Sequence, residues 1–435
     1  MSSFFIHTFG CQMNVYDGQR IAAMLTARGM TQTDNVADAD IIILNTCAVR
    51  AKATDKVFSA LGRIRNEKKP DALFGIVGCV AREAGSDAFR RIPELNFVLG
   101  PQSYHKLPEI LENPDTKLLN IDLGGLEKFD ELPQMGKSPA VAYIPIQEGC
   151  NHCCTYCIVP YTRGRELSRP FNDVLKDTAH AADTGAIEIC FLGQNVNGYK
   201  YTAPDGKTYR LSDLIREAAK LDQVKRIRFT SSYPTEMTDD LIDMFRTEPK
   251  LLPFLNMPIQ SGSQNVLTRM NRPYSLNLYI DIVDKLKAAR PDIQISSDFI
   301  VGFPGETDED FEQTMEIAKR IRYINSYSFK YSPRPHTAAA IMPDQIPEKV
   351  KAERLAKLDA YLNELQRDFN ESCIGKKFMC LYEGPDKTGK HLVYRTPYMQ
   401  QCITDAPSDT SFAPEMAQIE ITAANKASLR GKILS

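Results

Sequence analysis

The sequence predicts an α/β chain in three parts: an N-terminal doubly wound parallel sheet, a central partial (β/α)6 barrel, and a C-terminal small β-barrel. Three observations predict it. Short apolar runs of strand character alternate with helical runs from residue 3 to residue 335, and strands separated by helices pair in parallel. The alternation is interrupted over 124–139 by glycine, proline and charge with no apolar period, which marks a linker. After residue 372 only short alternating segments remain, the pattern of antiparallel strands. The parts are therefore 1–123, 140–340 and 373–435, with a helical connector over 341–372.

The first part reads β-α-β-α-β. Ser3-Phe-Phe-Ile-His-Thr-Phe predicts a strand that ends at Gly10-Cys11. Gln19 to Arg28 places Ile21, Met24 and Leu25 at helical spacing and stops at Gly29. Ala39 to Leu44 predicts a buried strand ending Asn45-Thr46-Cys47, a helix follows from about Lys52 to Glu67, and Leu73-Phe-Gly-Ile-Val ends at Gly78-Cys79. Cys11, Cys47 and Cys79 thus sit just past the carboxyl ends of three successive strands, the edge at which such sheets bind ligands. One buried cysteine is a small hydrophobe, whereas three in one topological place predict a shared site. Between Val49 and Lys69 lie seven basic and two acidic residues. Arg50, Lys52 and Lys56 would lie beside Cys47, where cations can neutralise phosphates.

The second part repeats the β/α unit six times. Its strand candidates are Ala142–Gln147, Ala186–Leu192, Val224–Thr230, Leu252–Ile259, Ile293–Val301 and Ile324–Tyr331, separated by helices such as Leu211–Lys220, Leu278–Ala289 and Asp310–Arg322. Six such units predict a partial parallel barrel with its reactive residues at the carboxyl strand ends. The first strand runs into Cys150-Asn-His-Cys-Cys154-Thr-Tyr156-Cys157. Cys150, Cys154 and Cys157 form C-x3-C-x2-C, and thiolates select iron–sulfur clusters, zinc or Cu(I). A structural zinc site takes four ligands, and no fourth Cys or His follows at finger spacing. Three thiolates on a 4Fe-4S cluster leave one iron open; a zinc loop and an electron-transfer cluster are the other readings of the spacing. The remaining strand ends carry Gln194, Asn195, Ser231, Gln260 and Ser261, then Gly302-Phe-Pro-Gly305-Glu306 after Ile300, and Tyr331. Amides, hydroxyls and glycines around one rim make a ring able to bind a polar ligand.

Pro347 to Asn370 has the apolar spacing of a long connecting helix, and Gly375–Tyr382, His391–Arg395, Gln418–Thr422 and Gly431–Leu434 predict short antiparallel strands, with 396–417 low in pattern. The chain has 435 residues, net charge −2 and eleven cysteines, too odd a set for a disulfide framework in so large a chain. No run approaches the ~18 apolar residues of a membrane span, and Met-Ser-Ser-Phe-Phe-Ile-His lacks the character of a signal peptide. A reducing cytoplasm and no membrane are expected, and any RNA surface must be a local patch rather than a global charge.

The C-x3-C-x2-C loop with Tyr156 before its last cysteine resembles the signature of the radical S-adenosylmethionine (SAM) enzymes. The longer string from Gly149-Cys150 to Pro160-Tyr-Thr-Arg163-Gly-Arg165-Glu166, together with Phe-Gly-Cys11-Gln-Met-Asn, Asn45-Thr-Cys47-Ala-Val-Arg50 and Val-Gly-Cys79, is similar to the radical SAM methylthiotransferases. Leu-Gly-Gln194-Asn195-Val-Asn and Met-Pro-Ile-Gln260-Ser261-Gly-Ser resemble the branch that modifies a prenylated adenosine beside the tRNA anticodon. The resemblance implies a SAM-binding 4Fe-4S cluster on Cys150, Cys154 and Cys157 and an auxiliary 4Fe-4S cluster on Cys11, Cys47 and Cys79. It implies SAM contacts from Tyr156, Gln194, Asn195, Ser231, Gln260, Ser261, Ile300 and Tyr331, and RNA contacts from Arg50, Lys52, Lys56, Arg163 and Arg165. The C-terminal part resembles a TRAM domain, an RNA-binding β-barrel.

The implied activity is methylthiolation of carbon 2 of N6-dimethylallyladenosine at position 37 of tRNA. The implied partners are the anticodon stem-loop, a flavodoxin- or ferredoxin-like electron donor, and a cluster-assembly or sulfur-delivery protein. A relative acting on a ribosomal-protein aspartate or on threonylcarbamoyl-adenosine would share the architecture, and an RNA-binding protein with non-catalytic clusters is the rival of another class. Two positions depart from the family pattern: His336 stands where glycine is expected, and Ala51 where glutamate is expected.

Overall fold

The computed structural model describes residues 2–48, 51–405 and 415–434, and for 51–53 and 130 the backbone but not the side chain. In the N-terminal part, β1 (Ser3–Thr8), β2 (Thr31–Gln32), β3 (Ile41–Thr46), β4 (Leu73–Gly78), β5 (Phe97–Leu99) and β6 (Leu118–Asn120) form one sheet in the order β2-β1-β3-β4-β5-β6. Every pairing is parallel. All six residues of β3 are buried, and they divide between two cores: Ile42 and Leu44 pack on one face, Ile41 and Ile43 on the other. A strand covered on both faces needs a continuous apolar run rather than alternation, which is why Ile41-Ile-Ile-Leu44 reads as it does. The winding reverses between β1 and β3, so their carboxyl ends flank the crevice where such sheets bind ligands.

Helix α1 (Gln12–Ala27) begins immediately after Cys11, seven residues before the predicted Gln19. Its first two turns bury Asn14 and Asp17 as well as Met13 and Tyr16, and buried polar residues erase the apolar period on which the prediction relied. Helix α2 (Ala51–Glu67) follows β3, and helix α3 (Cys79–Ala84) starts at Cys79 itself.

The barrel strands are Val141–Pro145, Glu188–Leu192, Arg226–Phe229, Phe254–Asn256, a fifth broken at Ser297 into Gln294–Ser296 and Asp298–Val301, and Tyr327–Lys330. The first three form one parallel ladder. The two halves of the fifth pair with the fourth and the sixth. All are shorter than predicted, because flanking apolar residues such as Leu252, Met257 and Ile259 are buried in strand-end loops rather than in the ladder. The described first and sixth strands share no ladder, so the barrel is open on that side. There Met13 of α1 packs on Cys190 and Leu192 and on the partly buried Val141 and Tyr143, bringing the N-terminal sheet against the first two barrel strands.

A 25-residue helix, Glu348–Ser372, lays Leu358, Leu362 and Leu365 on the barrel core. The last part is a closed five-stranded barrel of Lys377–Pro385, His391–Arg395, Gln401–Asp405, Ser428–Ile433 and Met416–Ala424. Gln401–Asp405 falls in the stretch read as low in pattern; its inward residues are Cys402 and Thr404, a weak apolar signal. The Arg226 guanidinium ties this barrel to the central one by donating to the carbonyls of Arg395 (2.8 Å) and Thr396 (3.1 Å). Among the described residues, no helix is long and apolar enough to cross a membrane.

Candidate cofactor site

The N-terminal cysteines are placed by strand ends. Cys11 caps the amino terminus of α1, Cys47 follows β3, and Cys79 is the first residue of α3. Gly10, at φ +112°, passes so close to Cys47 that a Cβ there would stand 2.1 Å from the Cys47 Cβ. Only glycine allows that approach. Two of the three thiols are pushed in opposite directions. A hydrogen bond from Cys47, the positive charge of Arg163 and the backbone N–H groups at the start of α1 bring Cys11 down to about 6, whereas burial pushes Cys79 up.

The second cysteine set lies on a loop pinned at its base. Gln147–Glu148 pairs antiparallel with Leu167–Ser168, and Gly149, at φ +74°, leaves its Cβ position only 2.0 Å from the Arg165 carbonyl oxygen. Thr155 is held to the helix Gln264–Arg269 and the residue after it, its N–H reaching the Met270 carbonyl (3.0 Å) and its hydroxyl the Arg269 carbonyl (2.9 Å). These bonds turn Cys150, Cys154 and Cys157 inward, all partly buried, and leave Cys153 exposed. Burial pushes the Cys150 and Cys157 thiols up to about 12, so ligation must displace their protons.

Around the loop the strand ends form the rim. Gln194 accepts from the Gly149 N–H (2.5 Å), and Asn195 donates to Glu166 (3.1 Å). Ser231 and Gln260 sit at φ +68° and +74°, a backbone region that non-glycine residues rarely occupy and that recurs at functional sites. Tyr156 and Ile300 pack with the buried Tyr331, Phe303, Val266 and Met270 into an apolar wall beside the loop, a face suited to a flat ring. The His152 ring stacks on Tyr233 at 3.6 Å and its Nε2 lies 3.1 Å from Glu236.

These residues suit a cluster with a bound SAM. Among the described residues no three or more Cys, His, Asp and Glu are gathered tightly enough for a single metal ion. A four-iron cluster does not need that, because each thiolate takes its own iron. At the same rim, Gln147 Nε2, Asn195 Oδ1, Ser232 Oγ, Tyr233 OH and Glu236 Oε2 are buried with no hydrogen-bond partner. Buried polar atoms are costly unless a partner satisfies them, and the polar groups of SAM would.

The comparisons with known proteins agree with this geometry. Residues 3–100 match the model described as Uncharacterized protein family UPF0004, and residues 144–318 that of the Radical SAM superfamily. A tRNA-2-methylthio-N(6)-dimethylallyladenosine synthase of Rickettsia conorii is 44% identical over 441 residues, covering 99% of both chains. That of Rickettsia bellii is 44% identical over 440 residues, covering 99% of this chain and 98% of its own. The chain belongs to the radical SAM methylthiotransferase family. Among solved structures, the radical SAM methyltransferase TsrM of Kitasatospora setae superposes with a TM-score of 0.56 at 13% identity, covering 78% of this chain and 77% of its own. The radical SAM enzyme OxsB gives 0.53 at 11% identity, over 84% of this chain and 56% of its own, so both likenesses concern the fold.

As a radical SAM methylthiotransferase the protein is a transferase of alkylthio groups that works with SAM and 4Fe-4S clusters. Two expected contacts of this methylthiotransferase fall elsewhere. Arg163 does not face RNA: the short helix Val159–Arg163 turns its side chain inward, where it is 3% exposed and paired with Glu148 and Asp17. Ser261 is buried, its hydroxyl 3.3 Å from Thr314 Oγ1, because Gly262 must press against the helix Asp308–Ile321. Lys56 and Arg165 are exposed. Arg50 and the side chain of Lys52 lie outside the described residues. His336 takes φ +67°, which accounts for the glycine expected there; the strain is ~1 kcal/mol, and its ring lies 5.8 Å from Tyr161.

Sequence reading missed Arg272, which is buried with its Nη1 3.9 Å from Cys154 Sγ and 3.3 Å from the Tyr156 hydroxyl, its guanidinium over the Tyr233 ring. Nothing in Asn271-Arg-Pro-Tyr274 distinguishes it from a turn. The Cys11 environment has a consequence for the cluster-free methylthiotransferase: iodoacetamide should modify Cys11 well before Cys150 and Cys157. Its thiolate dominates above its lowered value, so peptide mapping should show the Cys11 rate falling as pH drops below about 6.

Proposed function

We propose that this methylthiotransferase adds a methylthio group to carbon 2 of N6-dimethylallyladenosine at position 37 of tRNA. One observation carries the reading beyond the family name: the N-terminal cysteines and residues that flank the second cysteine loop border one cavity of about 980 Å³. Cys11, Cys47 and Cys79 line one part of its wall, and Ile158, Val159, Gln194 and Ser231, beside the second cysteine loop, line another. A nucleoside admitted there would lie within reach of both sites. The name of the relatives supplies the substrate.

Carbon 2 of adenine offers no usable acidity, and the bound clusters and SAM would supply the radical, sulfur and methyl group that replace its hydrogen. The chain's own part is to hold and orient. Cys150, Cys154 and Cys157 would ligate the SAM-binding cluster, and Cys11, Cys47 and Cys79 the auxiliary one. Gln194, Asn195, Ser231 and Gln260 would bind the polar groups of SAM, with Tyr156, Ile300 and Tyr331 along its ring. Lys56, Arg165, Arg50, Lys52 and the C-terminal TRAM-like barrel would meet the phosphates of the anticodon stem-loop. The reading places the enzyme in the cytoplasm with a flavodoxin- or ferredoxin-like electron donor and a sulfur-delivery or cluster-assembly partner.

The test is methylthio transfer by the reconstituted full-length protein to prenylated and unprenylated anticodon stem-loops and to a ribosomal-protein peptide. Product on the prenylated RNA alone, with binding that weakens steeply as salt rises, is the expected result. Preference for the peptide, or salt-insensitive RNA binding, overturns it.

A further inference from the structure

A buried charge network joins the two cysteine sites. The Arg163 guanidinium lies 3.1 Å from both Glu148 carboxylate oxygens and 3.4 Å from Asp17 Oδ2, which also accepts from the Tyr104 hydroxyl at 3.2 Å. Lys128 bridges the same two carboxylates, 3.3 Å from Asp17 Oδ1 and in direct contact with Glu148. Each of the four charged side chains is at least 96% buried. The backbone is fastened too, the Arg163 carbonyl accepting from the Gln102 amide at 2.9 Å.

The members come from both halves of the protein. Asp17, Gln102 and Tyr104 belong to the N-terminal part; Glu148 stands two residues before Cys150, and Arg163 ends the short helix that follows Cys157. That helix packs against α3, whose first residue is Cys79. Arg163 lines the shared cavity beside Cys11, Cys47 and Cys79. Its positive charge therefore stands beside the thiols that would carry the cluster, with the Asp17 carboxylate 3.4 Å behind it as the opposing charge.

We propose that Arg163, clamped by Glu148 and Asp17, is a positioning residue for the N-terminal cluster: it holds a positive charge beside Cys11, Cys47 and Cys79 and, against the opposing Asp17 carboxylate, sets that cluster's reduction potential. The inference rests on the assignment of a cluster to Cys11, Cys47 and Cys79 and extends it. Hydrogen bonds to ligand sulfur and nearby charge are the levers by which a protein tunes such a potential. Removing a cation or a donor destabilises the reduced, more negative cluster, and removing an anion stabilises it. A plain strut between the two halves would need neither sign. Well-packed apolar residues often serve as well as buried ion pairs, because desolvating each ion costs several kcal/mol.

The test uses the full-length chain carrying Cys150→Ala, Cys154→Ala and Cys157→Ala, reconstituted anaerobically with iron and sulfide so that only the N-terminal cluster contributes to the electron paramagnetic resonance signal. Potentials are read by mediated redox titration in this parent and after adding Asp17→Asn, Arg163→Gln or Arg163→Lys. Asp17→Asn should raise the midpoint. Arg163→Gln should lower it, and Arg163→Lys, which keeps the charge but loses the forked donor, should lower it less. If Arg163→Gln takes up no iron, the opposite signs of Asp17→Asn and Arg163→Lys carry the same test. Unchanged potentials, or shifts in one direction for both positions, overturn the inference while leaving the cluster in place. A parent that binds no cluster overturns the ligand assignment and this inference with it.

Discussion

Replacing Cys150, Cys154 or Cys157 with alanine should abolish release of 5′-deoxyadenosine from SAM and leave the reconstituted protein with the iron of one cluster. The loop geometry is the reason. Gly149 and the Gln147–Glu148 pairing with Leu167–Ser168 hold its base, the bonds of Thr155 hold its middle, and only these three of its four cysteines turn inward. A three-thiolate cluster has no spare ligand, because the exposed Cys153 points away, its carbonyl fixed by the Asn271 amide at 2.8 Å. Cys153→Ala is therefore the control and should retain both clusters and full SAM cleavage. The assay is anaerobic, with dithionite as reductant, chromatography of 5′-deoxyadenosine, and iron and sulfide counts. An active Cys154→Ala enzyme would refute the ligand set.

The second large effect is complementary. Alanine at Cys11, Cys47 or Cys79 should eliminate methylthio product, a loss of at least about 100-fold by analogy with other disrupted metal sites, while 5′-deoxyadenosine is still released. These thiols lie on the N-terminal sheet, border the shared cavity, and take no part in holding the loop of Cys150–Cys157. The measurement pairs mass spectrometry of the tRNA nucleosides with 5′-deoxyadenosine release in one reaction. Loss of both activities together would mean that the N-terminal cysteines serve the barrel fold; two clusters' worth of iron in the triple variant would mean that they ligate nothing.

How far the sequence alone carries can be seen position by position. It determined the strand–helix alternation, because the short β-branched run Ile41-Ile-Ile-Leu44 reads as a strand covered on both faces, and hence the placing of Cys11, Cys47 and Cys79 at one sheet edge. It determined the C-x3-C-x2-C loop and the rim residues Gln194, Asn195, Ser231 and Gln260, because chemistry-bearing side chains at the carboxyl ends of successive parallel strands share an edge whatever the details of packing. It did not reveal the start of α1, whose first turns bury Asn14 and Asp17, nor the strand Gln401–Asp405, whose inward residues include Thr404. The α1 face is satisfied by hydrogen bonds and ion pairs and the strand's inward face is a thiol and a hydroxyl, and neither carries an apolar period.

Only the tertiary structure decided which charges face water. Arg163 and Arg165 are two residues apart in one glycine-containing string, yet one is sealed between Glu148 and Asp17 and the other is exposed. Arg272, Lys128 and Asp17 likewise read as ordinary surface residues until partners distant in sequence close around them. An apolar side chain announces burial by its own chemistry, because leaving water is favourable for it alone. A charged one is buried only when opposite charges or hydrogen-bond partners close around it, and those are supplied by the fold rather than by the neighbouring residues.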